Sequence, residues 1–489
     1  MKRRHFLSRS SAAATLSSAP LTTSAETPSP PNLLIIHCDE LNFRTLGCYR
    51  DTLPEEQAYM WGKEAYCPTP HIDSLAGEGA LWTKCYAATP VCSPSRSSFL
   101  TGNYPQNTPV TSNNIHFADG NRTFAHVLQE AGYHTGYAGK WHLDGDGKPQ
   151  WAPERNFGFL DNRFMFNRGH WKQFEDTPEG PRVKARDKKG APSYSVAGAD
   201  ESSFATDWLT DKAIDYIDEH RDRPFCYMVS IPDPHGPDTV RAPYDTLFDD
   251  ALTQKPRTHD RDAKEAPAWA KPSAKCPYKM AQYHGMVKCI DDNVGRLLNH
   301  LSTRGLLDQT IVVFTADHGD MRGEHGRQNK GVPLEASAKI PFIVRYPKGI
   351  PAGQRHDWVI NTVDFLPTVL TTMGFEQSIP EGVQGRNLVD GPGNRPDVTF
   401  FRSTSNGKSP GNWVGAVTPR FKLLLSPQER PWLFDLESEP DELENHIDRP
   451  EHRDQVADLA AQLLAYFEAT NDPFKDHEKV VSELNLLAS

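Results

Sequence analysis

The chain has 489 residues and a formal net charge of −11, with 53 Lys and Arg against 64 Asp and Glu. That length exceeds one ordinary hydrophobic core, so a large domain with a smaller partner is expected; so acidic a chain excludes nucleic acid, whose phosphates need a basic face. Hydrophobic residues make up 37%, and no apolar run reaches the roughly 20 residues a helix needs to cross a bilayer, so no membrane span is expected.

The N-terminus, Met1-Lys2-Arg3-Arg4-His5-Phe6-Leu7-Ser8-Arg9, places two arginines before an Ala/Ser/Leu stretch, and Thr23-Ser24-Ala25 offers small residues for cleavage. This resembles a twin-arginine export leader, which implies a periplasmic or extracellular protein. Cleavage after Ala25 removes Lys2, Arg3, Arg4 and Arg9 and no acid, taking the charge from −11 to −15. Residues 1–31 are therefore assigned to leader and linker. The eight cysteines include no Cys-x-x-Cys pair, so a zinc–thiolate site is not expected, and disulfide pairing stays open.

The first strand is Asn32-Leu33-Leu34-Ile35-Ile36-His37-Cys38, continuously apolar as in a parallel strand buried on both faces. It ends at Asp39-Glu40, where open α/β sheets bind ligands; adjacent acids with a third from elsewhere suit a hard cation with oxygen ligands, such as calcium. Thr69 and Pro70 open a helix through Ala76. A second helix is expected from Cys92-Ser93-Pro94-Ser95-Arg96, with Ser93 as cap, Pro94 at its first position and Gly102 past its end. Its N-terminus suits an anion, with Cys92 at the mouth and Arg96 pointing the same way. A helix from Thr123 to Ala131 and a strand from His134 to Ala138 lead to Gly139-Lys140-Trp141-His142-Leu143.

Residues 151–200 read as loops rich in Pro, Gly and charge. A helix over 204–220 and a strand over 225–231 lead to Pro234-His235-Gly236-Pro237. Residues 244–277 form a polar insertion of the kind that sets substrate choice. A long amphipathic helix over 278–304 precedes the strand Thr310 to Ala316, which ends in Asp317-His318-Gly319-Asp320; Lys330-Gly331 follows. Beyond a boundary in 380–396, alternating strands and a helix from His452 to Ala469 read as a small α+β unit with an antiparallel sheet. The expected fold is α/β: a large, mostly parallel sheet flanked by helices over 32–380 and the smaller domain over 396–489. Asp39, Lys140, His235 and Asp317 all follow strands, so one sheet edge can hold them with Cys92.

The runs Ala87-Ala88-Thr89-Pro90-Val91-Cys92-Ser93-Pro94-Ser95-Arg96 to Gly102, Gly139 to Leu143 and Asp317-His318-Gly319 resemble the signature segments of the formylglycine-dependent type I sulfatases of the alkaline phosphatase superfamily. The resemblance implies that Cys92 is oxidised to formylglycine by a formylglycine-generating enzyme. Its hydrated aldehyde attacks the sulfur of a sulfate ester and then expels sulfate. It also implies a catalytic set of Cys92, Arg96, Lys140, His142, His235 and Lys330 and a calcium ion held by Asp39, Glu40, Cys92, Asp317 and His318. That family usually has Asp or Gln where this chain has Glu40. The implied substrate is a sulfated carbohydrate or small molecule. Trp171, His170, Arg241 and Trp269 in the insertions are residue types that grip sugars. A phosphonate monoester or phosphodiester hydrolase of the same superfamily is the alternative, and an inactive glycan-binding relative the third possibility.

Overall fold

The structure is a computed structural model that describes residues 30–489 except 263, 274, 390–396 and 405–411. The leader and residues 390–396 of the expected interdomain boundary lie outside the described residues. Eight strands form the main sheet: β1 (Asn32–Asp39), β2 (Ala80–Trp82), β3 (His134–Lys140), β4 (Asp161–Phe166), β5 (Phe225–Pro234), β6 (Thr310–Ala316), β7 (Phe342–Arg345) and β8 (Gln354–His356). Their order is β8-β2-β7-β6-β1-β5-β3-β4. The run from β6 through β4 is parallel, and β7 lies antiparallel to both β6 and β2. The unbroken apolar sequence of β1 follows from its place at the centre, where every residue is buried.

Helices cover both faces. The helices α1 (Pro70–Gly77), α4 (Ala205–His220) and α5 (Ala281–Thr303) pack together on one side; α2 (Cys92–Thr101), α3 (Phe124–Glu130) and α6 (Phe365–Thr372) pack on the other. The apolar stripe of α5, Tyr283, Val287, Ile290, Val294, Leu297 and Leu301, is buried as its 3.6-residue spacing requires. Phe99 of α2 stacks on Phe365 of α6 with ring centroids 3.9 Å apart, which ties the Cys92 helix to the layer behind it.

Several boundaries differ from the sequence expectation. Strand β3 runs through Lys140, so this lysine is the last strand residue and does not follow the strand. Gly139 makes that possible: its φ is 102° and an added Cβ would lie 1.9 Å from the Ser230 carbonyl oxygen, so only glycine lets β3 approach β5 there. Residues 151–200 are not all loop. They supply the edge strand β4 and a hairpin of Phe174–Thr177 with Gly180–Val183, half-polar elements that lack the apolar run of a central strand.

The C-terminal residues form a four-stranded antiparallel sheet in simple order, β9 (Thr399–Arg402), β10 (Val414–Val417), β11 (Phe421–Leu425) and β12 (Trp432–Asp435), covered by α7 (Arg453–Thr470) and α8 (Glu478–Leu487). Apolar side chains from the connections of the large domain and from the C-terminal sheet share one cluster, in which Tyr86, Trp269 and Leu334 pack with Phe401, Trp413 and Phe434. Across this seam the buried Lys422 ammonium donates to Glu335 Oε1 (2.8 Å), Glu442 Oε1 (2.7 Å) and the Pro333 carbonyl (2.9 Å). Removing it strands two buried carboxylates. Lys422→Met should therefore lower unfolding stability by about 3–5 kcal/mol, the usual penalty for breaking a buried ion pair, measured by chemical denaturation; a loss under about 1 kcal/mol would mean that the seam does not depend on this ammonium.

Candidate active site

The floor of the site is built where α2 meets the C-terminal ends of the parallel strands. The helix begins at Cys92, two residues earlier than the sequence suggests, with Val91 in the cap position and no side-chain cap. Ser93 is drawn elsewhere: its hydroxyl donates to the His142 carbonyl at 2.6 Å. Gly102 closes the helix in the left-handed conformation, φ 70°. At the N-terminus the Cys92 Sγ lies 3.2 Å from His318 Nε2 and 3.8 Å from both Asp39 Oδ1 and Lys140 Nζ.

One turn along, Arg96 serves as a buried brace. Its Nε and Nη2 reach Asp317 Oδ2 at 3.0 and 2.9 Å, and its Nη1 donates to the Lys140 carbonyl at 2.8 Å and to Ser230 Oγ at 2.7 Å. The guanidinium thus joins the ends of β3, β5 and β6, and a planar fork suits so many acceptors where an ammonium does not. Lys140 Nζ pairs with Asp39 Oδ2. Against the cost of burial, Lys140, His235 and Arg96 hold Asp39 well below the usual carboxylate range. Burial, reinforced by Asp39, instead raises Asp317. The thiol of Cys92 is pulled well down despite its burial, by Lys140 and Lys330, as expected of a cysteine at a cationic helix N-terminus.

Glu40 turns the chain out of β1 with φ 63°, and its N–H donates to Asp317 Oδ1 at 3.1 Å. Its Oε2 takes His235 Nε2 at 2.8 Å and Lys330 Nζ at 3.1 Å; those two cations hold Glu40 well below its usual range although burial opposes them. Its Oε1 is buried without a hydrogen-bond partner, an acceptor in want of a cation. His318, lowered by burial but raised more by Asp317 and Cys92, is pushed up to about 9. His142, beside Cys92, is held at about 4 by burial and by Lys140, and its Nε2 lies 3.2 Å from Asn114 Oδ1.

The structure brings together all the residues expected from sequence, Asp39, Glu40, Cys92, Arg96, Lys140, His142, His235, Asp317, His318 and Lys330. It adds His170, whose Nε2 lies 2.9 Å from Lys140 Nζ and 3.8 Å from Asp39 Oδ2. No periodicity or motif marks this histidine in the insertion, and only its residue type drew notice. The other sugar-gripping candidates are elsewhere. Trp171 is buried with its Nε1 on the Arg168 carbonyl, Trp269 packs edge-on against Trp432, and Arg241 is occupied by Asp207 at 2.7 and 2.9 Å. An apolar cavity of about 250 Å³ lined by Trp82, Val313, Phe342 and Phe365 contains none of the site residues.

Ligand atoms of Asp39, Cys92, Asp317 and His318 all lie within 4.8 Å of one another. This buried donor set, with the unmet Glu40 oxygen beside it, fits a hard cation. A second grouping, Asp39 with His170 and His235, already has the Lys140 ammonium among its atoms, so its positive charge is supplied by the chain.

The profile described as Sulfatase matches residues 31–375, and the one described as N-sulphoglucosamine sulphohydrolase, C-terminal, matches 323–469. The chain belongs to the sulfatase family. As a member it is a sulfuric ester hydrolase. The N-acetylglucosamine-6-O-sulfatase of Bacteroides thetaiotaomicron is 27% identical, with 92% of this chain and 87% of that protein covered. The ulvan-active sulfatase of Formosa agariphila is also 27% identical, over 94% of this chain and 85% of its own. The crystal structure of yidJ from Bacteroides fragilis, a sulfatase by name, superposes with a TM-score of 0.73 at 26% identity, covering 93% of this chain and 98% of that one. In this sulfatase Arg96→Lys should keep the fold but lose at least about 100-fold in kcat/KM, because one ammonium cannot hold Asp317, Lys140 and Ser230 together; steady-state kinetics on an aryl sulfate, with circular dichroism as the control, checks it.

Proposed function

We propose that this sulfatase removes sulfate from a carbohydrate, using a formylglycine made from Cys92 and one calcium ion. What carries the reading is the convergence of Arg96, Lys140 and Lys330 on Cys92 at a dry sheet edge, joined to relatives named for sugar sulfates that align over nine-tenths of the chain. When present, the formylglycine supplies a hydroxyl nucleophile that can collapse back to an aldehyde. A calcium ion held by Asp39, Asp317, His318 and Glu40 supplies charge against the ester oxygens.

The chain's own residues do the rest. Arg96 fixes Asp39 and Asp317 so that their oxygens converge. Lys140 and Lys330, one from a strand end and one from the loop after Asp317, stabilise the negative charge that grows on the sulfuryl group as the ester breaks. His142 and His235 are the groups able to hand a proton to the departing alcohol oxygen. A sulfate monoester brings a single negative charge; Asp39, Glu40 and Asp317 offset Arg96, Lys140 and Lys330, so the surplus positive charge for the transition state would come from the calcium ion. We assign residues 32–380 to the catalytic domain and 396–489 to a domain that braces it: Trp413 Nε1 donates to the Gly331 carbonyl at 3.2 Å, beside Lys330. The leader and a formylglycine-generating enzyme complete the proposal, with modification before export.

Mass spectrometry of the Cys92 tryptic peptide should show the aldehyde, and elemental analysis of the same preparation one calcium per chain. Unmodified Cys92 in fully active protein would refute the nucleophile. Sulfated sugars should be turned over with higher kcat/KM than an aryl phosphodiester; the reverse order would transfer the site to the phosphodiesterase alternative.

A further inference from the structure

The residues of the site fall into two layers. The side chains of Asp39, Arg96, Lys140, Asp317 and His318 are at most 2% exposed, whereas those of His170, His235 and Lys330 are 22, 16 and 16% exposed. Cys92 is on the floor. A sulfuryl group bound against Cys92 must therefore leave its alcohol half among the exposed three.

His170 lies in this outer layer and covers Lys140. Its ring stacks on that of His235, centroids 3.4 Å apart at 8°. The stack is not accidental, because the two segments are clamped together two residues away. The buried Lys172 Nζ donates to Asp233 Oδ1 at 2.6 Å and to the His235 carbonyl at 3.4 Å, and Thr206 Oγ1 holds the other Asp233 oxygen at 2.7 Å. The insertion that begins after β4 is thus anchored to the end of β5, and the product of that anchoring is a histidine held at the mouth. Its Nε2 faces Lys140, and its Nδ1 has no hydrogen-bond partner among the described residues.

We infer that His170 is a specificity-determining residue: it contacts the alcohol half of the ester and hydrogen-bonds a sugar oxygen next to the scissile bond. The inference rests on the carbohydrate reading above. A site whose polar group is matched to a substrate hydroxyl discriminates strongly against an analogue that lacks it. An aryl sulfate has no such hydroxyl, so it gains nothing from that bond and shares with the sugar only what His170 contributes through Lys140 and His235.

The test compares wild type, His170→Ala and His170→Phe on a set of monosulfated hexoses and N-acetylhexosamines and on 4-nitrophenyl sulfate. For the best sugar, both variants should lose at least about 10-fold more in kcat/KM than they lose on the aryl sulfate, whose own loss reads the contacts with Lys140 and His235 that both substrates share. Equal losses on both substrates would overturn the inference and make His170 a support for Lys140 and His235. Full retention by the Phe variant would also overturn it, since the stack alone would then suffice. Wild type that cleaves the aryl sulfate but no sugar defeats the carbohydrate reading and the inference with it, a result distinct from either failure of His170 alone.

Discussion

Burying charge is expensive, and this sheet edge buries a great deal of it. Asp39, Glu40 and Asp317 face Arg96 and Lys140 with almost no access to water, and the half-buried Lys330 closes the group from the outside. None of these groups is tolerable without the others. The fold is arranged to deliver them together: β1, β3, β5 and β6 are adjacent parallel strands, so their C-terminal ends share one edge, and α2 enters from one face with its N-terminus aimed there. The Arg96 guanidinium is the joint between sheet and helix.

The C-terminal sheet belongs to the same economy of charge. Its Lys422 answers Glu335 and Glu442 across the seam, and its Trp413 steadies the loop that bears Lys330. A cation that must meet Glu40 at 3.1 Å cannot sit on a loose loop, and packing from a second sheet removes that freedom.

The main elements are legible in the sequence because central parallel strands must be apolar on both faces. Asn32 to Cys38 and Thr310 to Ala316 therefore announce themselves, and the charged residues that end them mark the site. The edge strand Asp161–Phe166 carries no such signal, since one side meets solvent and its sequence is half polar. The start of α2 departs from its sequence signal for a local reason: Ser93 is a good capping residue by type, but the His142 carbonyl competes for its hydroxyl. Residue type also misleads at Trp171, Trp269 and Arg241, which are sugar-binding types put to structural use, whereas His170 depends on the Lys172–Asp233 contact, a pairing 61 residues apart in sequence.

Cys92 is 1% exposed, at the first turn of a helix packed on all sides. An enzyme that must grip a peptide around this thiol cannot do so once the sheet and α2 have closed over it. For the maturation proposed above, this burial sets an order of events: conversion of Cys92 would have to precede closure of the fold, and a chain that reached the native state with its cysteine intact would be sealed in that form.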